Sequence, residues 1–191
     1  MSLTSVAILV VLFLLAAYAV TLYNALVRLK HGVSKAWSNI DVLLRQRHEE
    51  LPKLVETCKQ YMQYEQNTLE RVVSARAAVS AARERGDVGA LGKAESGLRK
   101  GLGQLFALAE NYPELRASEG FRHLQQRISG LENGIADRRE LYNEAVNLNN
   151  VRIEQFPDLL IARLGGFKPA ELLMFSEADK ADADLKSLFG R

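Results

Sequence analysis

Apolar side chains fill the start of the chain almost without interruption. None of the first 27 residues is charged, and residues 3–22 form the densest part of this run. A helix of about 20 residues rises about 30 Å, which matches the hydrocarbon thickness of a bilayer. Tyr18 and Tyr23 lie near its end, where amphipathic rings favour the headgroup layer. The pattern predicts a transmembrane anchor over residues 1–27, with the lipid bilayer as its partner.

A cleaved signal peptide would show a similar run, and residues 17–19 (AYA) resemble a small-x-small cleavage site. No lysine or arginine precedes the run, however, so the basic segment that usually opens a signal peptide is missing. Arg28, Lys30 and Lys35 follow it closely. Because basic residues favour the cytoplasmic side, we expect the N-terminus outside and the C-terminal domain in the cytoplasm.

Apolar positions continue at helical spacing beyond the anchor. They recur over residues 22–40 and, in a slightly shifted phase, over residues 44–79, in the steps typical of a coiled-coil-like stripe. The anchor is therefore predicted to continue as one long helix that ends near Gly86, a residue suited to the C′ position. Pro52 removes a backbone donor, so we expect a kink or a short break just before it.

Two further long helices and a short one are predicted. The second helix covers residues 88–111 and the third residues 119–155, with a turn between them and Ser118 as the N-cap. A short helical turn closes at Gly165, and no segment has the period of a strand. Short connections between long helices favour alternating directions. The predicted fold is all-α: a transmembrane helix that continues into an antiparallel bundle of three long helices plus a short C-terminal one. We expect three parts: the anchor (1–27), the helical bundle (28–169) and an acidic C-terminal tail (170–191).

Two features of these helices suggest close contacts. Gly97 and Gly101 form a small-xxx-small pair that lets a neighbouring backbone approach, although glycines also weaken a helix by up to about 1 kcal/mol each. Tyr142, Asn143, Asn147 and Asn150 lie on one helix with few apolar alternatives. Asparagines at seam positions favour a role in helix register or in contacts between subunits.

Trp37 is the single tryptophan of the chain. It follows the apolar run by about 15 Å of helix, which is too far for an aromatic belt at the membrane surface. It borders the stripe that contains Ala36 and Ile40. Packing between helices is the favoured interpretation, with a contact to another subunit as the alternative.

Asp41, Arg45 and His48 fall at steps of four and three on one helix face. This is the spacing of intrahelical salt bridges, whereas a general acid–base site also needs a pocket and a substrate anchor. The histidines are scattered without a zinc-binding pattern, and Cys58 lies on the apolar stripe as a small hydrophobe. We expect no catalytic site, no metal and no cofactor.

The charge composition bears on the class of partner. The chain has 25 basic and 23 acidic residues and a formal net charge of +2. Nucleic-acid-binding domains usually have a clear basic excess, so no nucleic-acid partner is expected.

Several blocks of sequence resemble the LemA family of bacterial membrane proteins. They are YNALV from Tyr23, AWSNIDVLLRQRHEELPKLVE from Ala36, ARAA from Ala75, AENYPEL from Ala109, YNEAVNLNN from Tyr142 and FPDLLIARLGGFKP from Phe156. The likeness covers residues 20–169 in order. Asn39 departs from it, where the family commonly has aspartate, and so do Leu148 or Asn149, where a tyrosine is common. The resemblance implies a membrane helix, a bundle of long antiparallel helices and no agreed biochemical activity.

These observations lead to one expected function and one main alternative, with an enzyme whose site is not recognised in the sequence as a third hypothesis. We expect a membrane-anchored, self-associating helical scaffold of the bacterial inner membrane without catalysis, and therefore a homo-oligomer. The resemblance implies the alternative, since LemA genes often lie near those of membrane-associated proteases. In that case the chain is an accessory or adaptor subunit of a membrane protease or another envelope quality-control complex.

Overall fold

The computed structural model describes residues 2–175, and all regular secondary structure in that range is helical. Six helices follow one another: α1 (Leu3–Lys59), α2 (Gln66–Arg85), α3 (Val88–Ala109), α4 (Pro113–Ala117), α5 (Glu119–Glu154) and α6 (Asp158–Leu164). The prediction of an all-α fold is confirmed. The acidic positions of the predicted tail, Glu177, Asp179, Asp182 and Asp184, lie outside the described residues.

The chain divides into two compact units. One, here the anchor unit, consists of Met1–Ser38 and Leu141–Ala170, and the other, here the bundle unit, consists of Asn39–Glu140 and Glu171–Arg191. Both α1 and α5 therefore contribute to each unit. The predicted boundaries at residues 27 and 169 concern a membrane and a tail, and they stay predictions.

The start of α1 has the length and composition of a membrane span. Its most apolar stretch of 18 residues has a mean hydropathy of 2.6, and 0% of that stretch is buried. Apolar side chains without cover in water are costly over such a length, whereas hydrocarbon suits them. The N-terminal part of α1 is thus long and apolar enough to cross a bilayer.

In the bundle unit, α1 and α5 run antiparallel. Leu43 of α1 lies against Gly134 of α5. About two helical turns further along α1, Glu50 pairs with Arg127 of α5. Residue numbers rise along α1 as they fall along α5, which defines the direction. The buried side chains of the unit are mainly leucines at helical spacing: Leu44, Leu51, Leu54, Leu91, Leu98, Leu102 and Leu105, together with Phe121 and Ile128.

The helices α2 and α3 form an antiparallel hairpin in the same unit. Gly86 ends α2 in the left-handed conformation, at φ 66°, and the side chain of Asp87 caps α3 by accepting from the backbone N–H of Ala90. Gly86 was predicted from the sequence as the end of a helix, whereas the cap at Asp87 was not predicted. A glycine here avoids the steric cost that a Cβ would bring at positive φ.

The first bundle helix differs from the prediction. It does not run unbroken to Gly86: α1 ends at Lys59, and α2 begins at Gln66. Of the kink or short break expected at Pro52, the break is wrong as well, because α1 is helical through that residue, and the kink stays a prediction. The bundle unit therefore holds four long helical segments, where the sequence predicted three.

Pro52 is tolerated because another helix replaces the hydrogen bond that it cannot make. A proline at this position has no N–H to give to the carbonyl of His48, four residues earlier. Nε of Arg76, on α2, donates to that carbonyl at 3.0 Å. The acceptor is satisfied, so the helix continues.

The segment between α3 and α5 contains one helical turn that was predicted as a plain turn. Pro113 begins α4, where its missing N–H costs nothing, and Leu115 on α4 is buried. Ser118 then caps α5 as expected, since its hydroxyl accepts from the backbone N–H of Phe121 at 3.4 Å. The buried leucine explains why this turn is helical rather than open.

The anchor unit has a small core of its own. Leu26 of α1, Ile153 of α5 and Ala162 of α6 are buried together, with Ile161 and Phe167 packed against them. In this unit α6 and the end of α5 thus cover one face of α1 just after its most apolar stretch.

Candidate functional site

A charged cluster is buried in the bundle unit. Arg47 on α1 is 1% exposed, and its guanidinium donates to Glu95 of α3 and to Glu132 of α5, at 2.5 Å each. Arg47 lies three residues after Leu44 and four before Leu51, so helical spacing places it on the buried face. One side chain therefore joins three helices.

The pKa values in this cluster follow from burial and charge. Burial alone would lower the pKa of Arg47, but the charges and hydrogen bonds of Glu95 and Glu132 raise it above its ordinary value. Burial raises the pKa of Glu95, and the charge of Arg47 opposes that effect. Arg99 adds a second positive charge at 3.9 Å from Glu132, so two arginines face two glutamates. Balanced charges inside a bundle favour a structural role in helix register.

Arg47 keeps one donor without a partner. Its Nε is buried and makes no hydrogen bond. A buried donor without an acceptor costs free energy, which the two carboxylate contacts of Arg47 have to offset.

A second polar contact joins α1 to α2. Nη2 of Arg76 lies 2.7 Å from Nε2 of His48. A guanidinium only donates, so Nε2 accepts and the imidazole is neutral. Burial, followed by the charges of Arg76 and Arg83, lowers the pKa of His48, whereas Glu49 and Glu84 act in the opposite direction.

Two cavities open on the bundle unit. One of about 930 Å³ lies between the end of α1 and the start of α2, with Val55, Met62, Leu69 and Val73 in its wall and the exposed Tyr64 at its edge. Another of about 430 Å³ lies between α2 and α3. Within residues 2–175, neither cavity is lined by any of the groups whose pKa is described as shifted, namely Arg47, His48, Cys58, Glu95 and Tyr112.

The family model described as the LemA family matches residues 36–186, which is most of the chain. The chain belongs to the LemA family. The resemblance in the sequence blocks is thereby confirmed, and it includes the segment that carries Arg47 and Pro52.

This LemA-family chain is also similar to magnetosome proteins. MamQ 1 and MamQ 2 of Paramagnetospirillum magneticum are each 35% identical to it over 103 residues, which are 52% of this chain and 37% of the relative. MamQ of Magnetospirillum gryphiswaldense is 26% identical over 183 residues, which are 82% of this chain and 67% of the relative. The matched region thus spans little more than a third of the first two relatives.

Trp37 of the LemA-family chain packs between helices of the anchor unit. It is partly buried, and its ring centroid lies 5.5 Å from that of the buried Tyr142, at an interplanar angle of 59°. Offset and tilted ring pairs are favourable geometries for aromatic side chains. The two predicted packing residues are therefore partners of each other.

The predicted group of Asp41, Arg45 and His48 divides into two. Arg45 pairs with Asp41 at 2.5 Å, one helical turn away, while Nε of Arg83 lies 3.7 Å from the same carboxylate. His48 is not part of this pair, because its imidazole faces Arg76. Local spacing found the intrahelical pair, whereas the partner from α2 decided the role of the histidine.

The asparagines also separate by role. Asn150 clamps the chain after α6: its amide donates to the carbonyl of Ala170 at 2.9 Å and accepts from the backbone N–H of Ala170 at 2.8 Å. Asn149 is buried and donates to Asn150 at 3.2 Å. Asn143 is half-buried and Asn147 is exposed. Of these asparagines only Asn147 is exposed, so the asparagines do not share one role.

The glycine pair splits in the same way. Gly101 is buried, and a Cβ there would lie 3.6 Å from Cγ2 of Val72 on α2. Gly97 is exposed, and a Cβ there would meet open space. The close approach that the sequence predicted at this pair is made instead at Gly92, where a Cβ would collide with the carbonyl oxygen of Met174. Sequence spacing does not point to Gly92, because its neighbour Met174 lies far away along the chain.

Proposed function

We propose that this LemA-family protein is a membrane-anchored helical scaffold that self-associates and has no catalytic activity of its own. The strongest support is α1. Its apolar start is uncovered over the length of a bilayer, and its later residues supply buried side chains such as Leu44, Arg47 and Leu51. One helix thus provides both a membrane span and core residues.

Self-association is supported by an exposed apolar face on α5. Leu141, Leu148 and Val151 are large, exposed and separated by seven and three residues, so they share one side of the helix. Asn147 is exposed next to Leu148. Contiguous apolar surface of this kind favours contact with another protein. An anchor confines copies to one plane, which raises their effective concentration and favours a closed symmetric assembly.

The absence of catalysis is supported by the state of the reactive groups. Burial raises the pKa of the Cys58 thiol to about 12, so the thiolate that would act as a nucleophile is not formed at neutral pH. Glu95 is enclosed with Arg47, and neither of the two cavities contains them. Within residues 2–175 no group of three or more His, Cys, Asp or Glu residues is placed to hold a metal ion.

The oligomeric state tests the scaffold. The full chain in detergent is measured by light scattering across a tenfold range of protein-to-detergent ratio, and we expect a homo-oligomer of defined mass. Leu148→Ser should shift the particle toward the monomer, because it removes apolar area from the α5 face. Val42→Ser is the matched control, since Val42 is as exposed as Leu148 but lies on α1 in the bundle unit. A monomer throughout the range would refute self-association.

The proposed location is the bacterial inner membrane, with the bundle unit in the cytoplasm. The support is the basic cluster of Arg28, Lys30 and Lys35 directly after the uncharged run. Protease added to intact spheroplasts should leave the bundle unit undigested and should digest it after lysis. Digestion in intact spheroplasts would place the bundle unit in the periplasm.

An accessory role in a membrane protease or another quality-control complex is the second candidate. It is favoured by the open apolar cavity next to Tyr64, which has room for a side chain or helix of a partner. Affinity purification from native membranes should then recover a membrane protease in fixed stoichiometry, and Val73→Glu should abolish its recovery. Recovery of this chain alone favours the scaffold.

A further inference from the structure

Large apolar side chains lie uncovered at the end of α5 and on α6. Phe156 is 79% exposed, Leu160 52% and Leu164 87%. We call these three residues the α6 edge. All three belong to the anchor unit, which also contains the uncovered start of α1. So much apolar surface within nine residues favours a partner that removes it from water.

The register of the anchor unit fixes the level of the α6 edge along α1. The ring of Trp37 packs on Tyr142, and Leu26 shares a core with Ile153. The steps from 26 to 37 and from 142 to 153 are equal, so α1 and α5 run antiparallel at the same rise. Since α5 ends at Glu154, one residue after Ile153, the turn that contains Phe156 lies on the Tyr23 side of Leu26.

A direct contact supports the same level. The ring centroid of Phe167 lies 5.6 Å from that of Tyr23, and Ala162 of α6 lies in the core with Leu26. Tyr23 directly follows the apolar residues 3–22. The α6 edge is therefore placed where α1 would leave the hydrocarbon of a bilayer.

The charges near the α6 edge suit a lipid surface. Asp158 is buried and accepts from Nε of Arg152 at 2.7 Å, so its negative charge is neutralised inside the unit. Arg163 and Lys168 are exposed, whereas Glu154 is the exposed acid near the turn. Exposed basic side chains beside apolar ones favour the headgroups of anionic lipids.

We propose that the α6 edge is a second membrane contact, which inserts Phe156, Leu160 and Leu164 into the interfacial layer of the bilayer that α1 crosses. This inference rests on the membrane anchor of the proposed function. The partner is lipid, because the edge continues the uncovered apolar surface of α1 and because the two exposed basic side chains of residues 154–170, Arg163 and Lys168, outnumber the one exposed acid, Glu154. The anchor unit thereby meets the membrane at two points, α1 and the α6 edge.

Depth-dependent fluorescence quenching tests the contact. The full chain with Trp37→Phe and Leu160→Trp is placed in vesicles of phosphatidylcholine and phosphatidylglycerol that contain lipids brominated at shallow or deep acyl positions. We expect a blue-shifted emission and a several-fold stronger quenching by the shallow bromines than by the deep ones. Val42→Trp in the same Trp37→Phe background is the matched control, since Val42 is 53% exposed and Leu160 52%. It should show no quenching at either depth.

Three outcomes would overturn the proposal, and they differ from one another. If the protein floats with the vesicles but the tryptophan at position 160 is not quenched, the anchor stands and the α6 edge is not in lipid. If the protein does not float with vesicles, the anchor itself fails. If the emission is blue-shifted without quenching, and the shift is lost when the protein is diluted in lipid, a second copy covers the edge.

The basic side chains give an independent measurement. Arg163→Gln with Lys168→Gln should weaken the shallow quenching of the tryptophan at position 160 in vesicles that contain phosphatidylglycerol, and should leave it unchanged in pure phosphatidylcholine. Equal quenching in anionic vesicles with and without the two glutamine substitutions would show that Arg163 and Lys168 do not contribute to the contact.

Discussion

At the residue scale, the most consequential side chain is Arg47. It is buried with Glu95 and Glu132, two carboxylates that come from two other helices. The free-energy cost of burying the Arg47 guanidinium is offset only while both carboxylates are present. The cluster therefore disfavours any other packing of α1, α3 and α5, because such a packing would separate the three charges. Its contribution to the choice of packing is larger than its net contribution to stability.

Removal of the arginine should be costly. We expect Arg47→Ala to lower the free energy of unfolding by about 3–5 kcal/mol, because the buried Glu95 loses its ion pair with Arg47 and Glu132 keeps only the half-exposed Arg99 as a counter-charge. Arg45→Ala is the control on the same helix: its pair with Asp41 is solvent-exposed on the arginine side, so the loss should stay below about 1 kcal/mol. Denaturant unfolding of both variants in the same detergent measures the difference. Equal losses would mean that Arg47 contributes only packing.

At the element scale, the contact between α1 and α2 depends on a neutral histidine. His48 accepts from Arg76, which also holds the carbonyl that Pro52 leaves free. Protonation of His48 would put a second positive charge beside Arg76. The same arginine thus keeps α1 helical through its proline and makes the helix pair sensitive to pH.

This pair should weaken in acid. The pKa of His48 is lower in the folded protein than the ordinary value of about 6.5. The unfolded chain therefore binds the proton first, and the stability contributed by the neutral form is lost as pH falls below that value. Unfolding midpoints measured at pH 7.5 and 5.5 should fall more for the wild type than for His48→Gln, which keeps an acceptor without the charge. An identical fall in both proteins would assign the pH dependence to other groups.

At the scale of the whole molecule, the chain returns to α3 after α6. Leu173 and Phe175 are buried in the bundle unit, and the guanidinium of Arg139 lies 4.6 Å from the ring centroid of Phe175. The backbone of Met174 approaches α3 at Gly92, where a side chain has no room. Residues 171–175, at the start of the predicted tail, thus include two side chains that are buried in the bundle unit.

Two glycines of α3 should therefore respond in opposite ways to alanine. Gly92→Ala should displace residues 171–175 and lower the thermal midpoint, since its Cβ would collide with the carbonyl of Met174. Gly97→Ala should raise stability by up to about 1 kcal/mol, because the site is open and alanine is the better helix former. Limited proteolysis near Phe175 would report the displacement directly. Unchanged cleavage in Gly92→Ala would mean that the helix shifts to accommodate the methyl group.

Local signals in the sequence predicted much of the fold. The apolar run, the period of the buried leucines, Gly86 and Ser118 located the span, the helix faces and two helix ends, because each depends on neighbouring residues in the chain. The intrahelical pair of Asp41 and Arg45 was found for the same reason.

Contacts between distant residues decided the rest, and no local period reports them. Pro52 reads as a break from its own missing N–H, yet it is tolerated because Arg76 of another helix supplies a donor. Arg47 lies on the buried face of α1 by its spacing, but only the two carboxylates that come from other helices make a charge acceptable there. In the sequence, Gly92 is one of several glycines that weaken its helix. In the structure, the backbone of Met174 lies against it and leaves no room for a side chain. The periodic helices and the apolar run thus follow from neighbouring residues, whereas the partner of each buried polar group depends on the tertiary fold, since that partner lies far away along the chain.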